Sequence, residues 1–163
     1  MPMNETMPEL KWSTPRVRRK VLYITLLLAL FCYAFFNWVL WPVKVVGDSM
    51  FPTYHDGARH FVNKLAYLSA KPQRGDVVAL RTLDDDIYIK RIIGLPGERI
   101  DFELGRVLIN GKRLDEPYTR AFVPWDMDPV TLPPDTYYMM GDNRATSVLG
   151  QVALERIIGK VTF

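Results

Sequence analysis

One cysteine and two histidines are all that this 163-residue chain carries of the usual thiolate and imidazole metal ligands. With Cys32 alone, no internal disulfide can form, and stability must come from packing. Cys32, His55 and His60 are too few for a metal centre, and no cofactor is expected. Charge of either sign is absent from residues 21–41, VLYITLLLALFCYAFFNWVLW, where only Thr25 and Asn37 are clearly polar. As a helix this run measures roughly 31 Å at ~1.5 Å per residue, close to the ~30 Å of a hydrocarbon core. It has no polar stripe, and Trp38 and Trp41 suit an interfacial belt. It is longer than the ~7–15 residues of a secretory h-region and no A-x-A site follows, so an uncleaved anchor is expected.

A surplus of one charge is also missing from the rest of the chain. Five of the 21 Lys and Arg residues and two of the 18 Asp and Glu residues precede the apolar run, which leaves 16 of each after Trp41. The basic excess is an N-terminal arm rather than a face, which argues against a nucleic-acid partner. Arg16, Arg18, Arg19 and Lys20 crowd one side of the run, and only Lys44 follows it closely. The positive-inside rule then predicts a cytoplasmic arm (1–20), an anchor (21–41) and an extracytoplasmic domain (42–163).

Helix signals are scarce after the anchor. VKVV (43–46), RHFVNKL (59–65), DVVALRTL (76–83), IYIKRIIG (87–94), RIDFEL (99–104), RVLING (106–111), TYYMMG (136–141) and GKVTF (159–163) are rich in β-branched and aromatic residues. Asn110-Gly111 between apolar flanks is a hairpin signal. Residues 115–135 read as an irregular connection punctuated by proline. A short helix is expected near 152–157. The fold class is mainly β: an antiparallel domain behind one transmembrane helix.

Three stretches could carry chemistry. In VVGDSMFPTYHDG, Gly47 permits unusual backbone angles and Pro52 restricts the chain beyond Ser49. Such a serine can be held exposed with its N–H free as an oxyanion donor, or it is simply a turn serine. A nucleophilic serine needs a base. His55 and His60 are candidates, though both read more simply as surface histidines. In IYIKRIIGLPGE, strand alternation puts Tyr88, Lys90 and Ile92 on one face. There desolvation would lower the lysine pKa toward that of a general base, unless the side chain snorkels to water. In GDNRATS, Asp142 can orient an arginine and Ser147 can hydrogen-bond a neutral amine.

Taken in order behind one anchor, GDSMFPT (47–53), RGDVVAL (74–80), YIKRIIGLPGE (88–98) and MGDNRATS (140–147) resemble the boxes of bacterial type I signal peptidases, the Ser-Lys proteases. The resemblance covers roughly 43–147, and weakly the IIGK of 157–160. It implies an all-β, partly barrel-like catalytic core, with Ser49 as nucleophile and Lys90 as general base. It implies Arg91 with Asp142 as a supporting ion pair, and Ser147 as the serine that orients the lysine. Gly47, Met50, Asn143 and Arg144 fall in the same boxes as supporting positions. Val45 and Ile89 match apolar positions of a pocket for a small residue. The implied substrate is the leader of an exported precursor at the bacterial inner membrane, cut through an acyl-enzyme.

Two departures stand out. Some members carry a hydroxyl residue two places before the nucleophile, where this chain has Gly47. The family also continues its last box as S-x-D-S-R, whereas here Ser147 is followed by Val148-Leu149-Gly150, which removes a supporting charge pair. The trimmed box suits a specialised relative, such as a pilin-processing peptidase of a conjugative system. Self-cleaving repressors of the DNA-damage response share the fold type, but they are soluble and bind DNA. A catalytically silent assembly factor for exported or pilin-type precursors is the reading of another class. An acylating probe tested with and without Ser49→Ala separates it from the enzyme.

Overall fold

The computed structural model describes residues 15–119, 123, 127–146 and 148–162. Ser147 and the first 14 residues lie outside the described residues.

Among the described residues the N-terminal unit is a helix, α1 (Pro15–Trp38), long and apolar enough to cross a membrane. It begins six residues before the apolar run, because Pro15 is preorganised for a first helical position and the basic residues after it are good helix formers. Its polar side chains bond back into the helix: Thr25 Oγ1 donates to Val21 O at 3.0 Å, and Asn37 Nδ2 donates to Tyr33 O at 2.8 Å. Those bonds satisfy the polar groups without water. The expected boundary at Trp41 is too late. Leu40 and Trp41 belong to the first strand, where Trp41 pairs with Val62.

The second unit is built of antiparallel strands: β1 (Leu40–Lys44), β2 (Arg59–Asn63), β3 (Val77–Arg81), β4 (Ile87–Gly94), β5 (Arg99–Glu103), β6 (Arg106–Ile109), β7 (Lys112–Arg113), β8 (Val130–Thr131), β9 (Thr136–Met140), β10 (Val148–Ala153) and β11 (Ile157–Thr162). Seven form one sheet in the order β1-β2-β11-β3-β4-β9-β10, and four form a second in the order β7-β6-β5-β8. Asn110 and Gly111 turn β6 into β7 with φ of 50° and 77°, the left-handed pair that a two-residue hairpin needs.

The helix expected near 152–157 is a single 3-10 turn, Leu154–Arg156. Val152 is instead a strand residue, buried with Val78, Leu80, Ile92, Tyr137 and Met139 on one face of the large sheet. Its neighbour across the ladder is Tyr137 of β9, so tertiary pairing overrode the local pattern. A second cluster, Ile93, Ile100, Phe102, Val107, Leu132, Tyr138 and Met140, joins the two sheets. β4 and β9 thus bury both faces, which explains their near-continuous apolar character.

Gly159 marks a close approach. A Cβ there would strike the main-chain carbonyl oxygen of Asn63 on β2. Backbone cannot move aside as a flexible side chain can. Gly159→Ala is therefore expected to destabilise the domain by about 1–3 kcal/mol, read as a lowered urea midpoint at unchanged m-value.

Candidate active site

Ser49 sits in the loop that leaves β1. Val45 N–H donates to Ala58 O at 2.8 Å and Gly57 N–H donates to Val45 O at 3.0 Å, which closes the loop at its neck. Gly47 has φ of +82°, a conformation that side chains resist, and its N–H is held by Asp56 Oδ1 at 2.8 Å. Phe51 N–H to Asp48 O (3.1 Å) and Tyr54 N–H to Met50 O (2.9 Å) coil the chain around the serine. Met50 and Tyr54 drive this loop into an apolar cluster with Val45, Val62, Val77, Ala79 and Val161.

Lys90 lies mid-way along β4, opposite Val78 of β3. It is only 6% exposed. Its Nζ donates to Ser49 Oγ at 2.8 Å and stands 5.6 Å from the centroid of the Tyr88 ring, on the face expected from alternation. Burial disfavours the ammonium and lowers its pKa to about 8, while the negative charge of Asp142 partly opposes that fall.

The next residue, Arg91, points into a different set of partners. Its Nε and Nη2 donate to the two oxygens of Asp142 at 2.8 and 2.6 Å, a bidentate pair. Its Nη1 donates to Gly75 O at 2.7 Å, and Thr53 Oγ1 donates to Asp142 Oδ2 at 2.5 Å. Burial lowers the arginine pKa, but the hydrogen bonds and charge of Asp142, with Tyr118 and Tyr54, more than offset it and hold the pKa above its ordinary value. Asn143 clasps the serine loop through its N–H to Ser49 O and its Nδ2 to Asp48 O, both at 3.1 Å.

A cleft of about 630 Å³ opens on the Ser49–Lys90 pair. Residues Trp41 to Val46 line one side and Ile87 to Ile89 the other, with Met50 and Thr146 also at the wall. Val45 and Ile89 are both among these lining residues.

The structure thus brings together Ser49, Lys90, Arg91 and Asp142, from three loops and strands far apart in sequence. It separates the histidines from them. His55 is exposed and meets the Phe51 ring at 5.3 Å. His60 is not the surface residue expected: its ring packs on Tyr54 at 4.2 Å, and its nitrogens are buried without a hydrogen-bond partner. Thr53 and Gly75, which complete the arginine site, gave no chemical signal of their own. Their only signal was membership of the boxes GDSMFPT and RGDVVAL. The rest of RGDVVAL is structural: Arg74 pairs with Glu98, and Asp76 receives Lys160 at 2.6 Å and Tyr67 at 3.0 Å. Among the described residues there is no group of three or more potential metal-ligating side chains.

An antiparallel β domain carrying a serine hydroxyl against a dehydrated lysine amine, at the floor of an open cleft, has the architecture of a serine endopeptidase. Comparison with known proteins narrows this. Residues 18–163 match the family described as signal peptidase, peptidase S26, and the chain belongs to it. It is 38% identical over 160 residues to signal peptidase I S of Bacillus subtilis (strain 168), an alignment covering 88% of this chain and 85% of the relative. It is 31% identical over 149 residues to signal peptidase IB of Staphylococcus aureus (strain Mu50), covering 78% of each. The crystal structure of a signal peptidase I from Enterococcus faecalis V583 superposes with a TM-score of 0.50 at 29% identity, covering 56% of this chain and 97% of that one.

Proposed function

We propose that this chain cleaves leader peptides from exported precursors, with Ser49 as nucleophile and Lys90 as general base. The observation that carries the reading is the 2.8 Å contact between Nζ and Oγ inside a dry pocket. A silent binding factor has no use for a lysine whose burial is a cost.

In its neutral form Lys90 accepts the serine proton as Oγ attacks the scissile carbonyl. The charge on the carbonyl oxygen is met by the N–H of Ser49, since Gly47 offers no hydroxyl. The ammonium of Lys90 then gives its proton to the departing amine, and an ester to Ser49 remains. Lys90, neutral again, takes a proton from the water that attacks the ester, and returns it to Ser49 Oγ as the acyl–oxygen bond breaks.

The cleft walls suit an extended substrate. Val45 spends its N–H and C=O on the β2 side, so by antiparallel alternation Lys44 and Val46 turn theirs toward the open edge. On the opposite wall β9 pairs with β4 only from Arg91 onward, which leaves the Ile89 edge free. A leader segment between these edges gains main-chain hydrogen bonds from both. Val45, Met50 and Ile89 close the pocket beside Ser49 with branched or bulky side chains, which favours a small residue before the cut.

Helix α1 serves as the anchor, with Arg16 to Lys20 on the cytoplasmic side and the peptidase domain of residues 42–163 across the bacterial inner membrane. The direct test is cleavage of a leader peptide by the purified protein, with the products weighed by mass spectrometry. One cut after a small residue is expected, and none with Ser49→Ala. Its pH dependence follows from Lys90. Only the uncharged amine is a base, so kcat/KM should rise with pH through about 8 and level above it. An acid limb near pH 6 would instead point to a histidine.

A further inference from the structure

The connection after β7 reaches back to both arginines of the site. Arg144 Nη1 donates to Glu116 Oε2 at 3.2 Å, and Nη2 donates to Glu116 Oε1. The two side chains are 4% and 10% exposed. Arg144 also donates from Nε to Gly141 O at 3.0 Å, which ties the carboxylate to the start of the turn at 141–146. Two residues further on, Tyr118 donates to Glu116 Oε1 at 3.1 Å and lays its ring 4.1 Å from the Arg91 guanidinium carbon. That guanidinium grips Asp142 in the same turn. The turn in turn holds the serine loop through Asn143, as described above.

We propose that Glu116 and Tyr118 are positioning residues for the Ser49–Lys90 pair: Glu116 braces the 141–146 turn through Arg144, and Tyr118 braces Arg91 against Asp142. The inference rests on the dyad reading of the preceding subsection. The physical case has three parts. Glu116 is a nearly dry carboxylate with three donors on it, two from Arg144 and one from Tyr118, so it has a single satisfied arrangement. Its partners converge on the turn that holds the nucleophile's loop through Asn143 and carries Asp142, the partner of Arg91. The ion pair also spans 28 positions of sequence, so it fixes the connection after β7 to the turn that carries Asp142. A displacement of about 1 Å at reacting atoms costs on the order of a hundredfold in rate, so such bracing matters.

Tyr118 also packs against the core cluster that joins the sheets, so the test must separate positioning from folding. Cleavage of a leader peptide by the full-length protein in detergent would be followed for E116Q, E116D, R144Q, the double variant E116Q/R144Q, Y118F and Y118L. K90A runs in parallel. E116Q is expected to lower kcat by roughly ten- to a hundredfold with KM within about twofold, and E116D to recover part of the loss. The double variant should be no worse than R144Q alone, because Glu116 acts through Arg144. Y118L should lower kcat with the ion pair intact, and Y118F, which keeps the ring on Arg91 but loses the hydrogen bond to Glu116, should lose less than Y118L. Wild-type kcat in E116Q beside an inactive K90A overturns this inference and leaves the dyad standing. Additive losses in the double variant overturn it too. Should E116Q fail to fold, wild-type kcat in Y118L does the same. An active K90A would defeat the dyad reading itself.

Discussion

Lys90→Met is expected to abolish turnover and, at pH 7, to make the domain more stable. The two effects share one cause. The amine is buried at 6% exposure, and dehydration pulls its pKa from 10.5 to about 8. Below pH 8 the lysine is protonated in both the folded and the unfolded chain, so folding carries the whole penalty of burying an ammonium. Between about 8 and 10.5 the unfolded chain still binds the proton that the folded chain has lost, so stability rises with pH across that window. Above it the penalty is gone. Methionine has a similar shape and no charge. The gain at pH 7 should be on the order of 2 kcal/mol and should vanish by about pH 11, as read from urea unfolding at several pH values. Turnover should fall by roughly 10⁴-fold or more, because a nucleophile and its base act as a unit. A Lys90→Met protein that is less stable at pH 7 would mean that the amine is a structural cation and not a base held at a cost.

The second large effect concerns Asp142, which is 1% exposed and accepts three hydrogen bonds, two from Arg91 and one from Thr53. Asp142→Ala leaves the Arg91 charge buried without its ion-pair partner, with the neutral Gly75 O, Thr53 hydroxyl and Tyr118 ring beside it. Stranding one member of a buried pair costs about 3–5 kcal/mol. Removing both charges together costs less, so the double variant R91M/D142L should regain much of that loss in a urea melt. The charge change also reaches Lys90. Asp142 opposes the fall of the lysine pKa, and its removal leaves the positive Arg91 unbalanced nearby. Whatever activity survives in Asp142→Ala should therefore have its acid limb moved to lower pH. A limb moved upward would mean that the site had opened to water instead.

The strands of the domain were legible because their signals are local. IYIKRIIG predicts β4 to the residue, and Asn110-Gly111 predicts its hairpin through backbone conformation alone. β10 was not legible. Its pairing with β9 breaks register between Val148 and Gly150, which hides the alternation. The end of α1 was misplaced for a related reason. Leu40 and Trp41 are as apolar as the helix before them, and only pairing with β2 shows that they are strand.

The site divides in the same way. Ser49, Lys90, Arg91 and Asp142 were each visible as residues of the right type in suggestive turns or strands. Their resemblance to a family supplied the pairing. Glu116 and Tyr118 gave no signal, because an acid and an aromatic residue in an irregular segment look like ordinary surface. Their meaning lies in where the chain crosses back over the 141–146 turn. His60 erred in the opposite direction: a polar residue in a strand reads as exposed, and the Tyr54 ring against it leaves it half-buried with its nitrogens covered.

By itself the sequence determined that the chain has one apolar helix, a disulfide-free β domain and the reactive groups of a peptidase, because composition, periodicity and side-chain chemistry are properties of neighbours along the chain. Only the tertiary structure decided that Nζ of residue 90 meets Oγ of residue 49, that the amine is dry, and that a carboxylate at 116 reaches the same turn. Those are distances and dielectric surroundings between segments tens of residues apart, and they exist only once the sheets have closed around them.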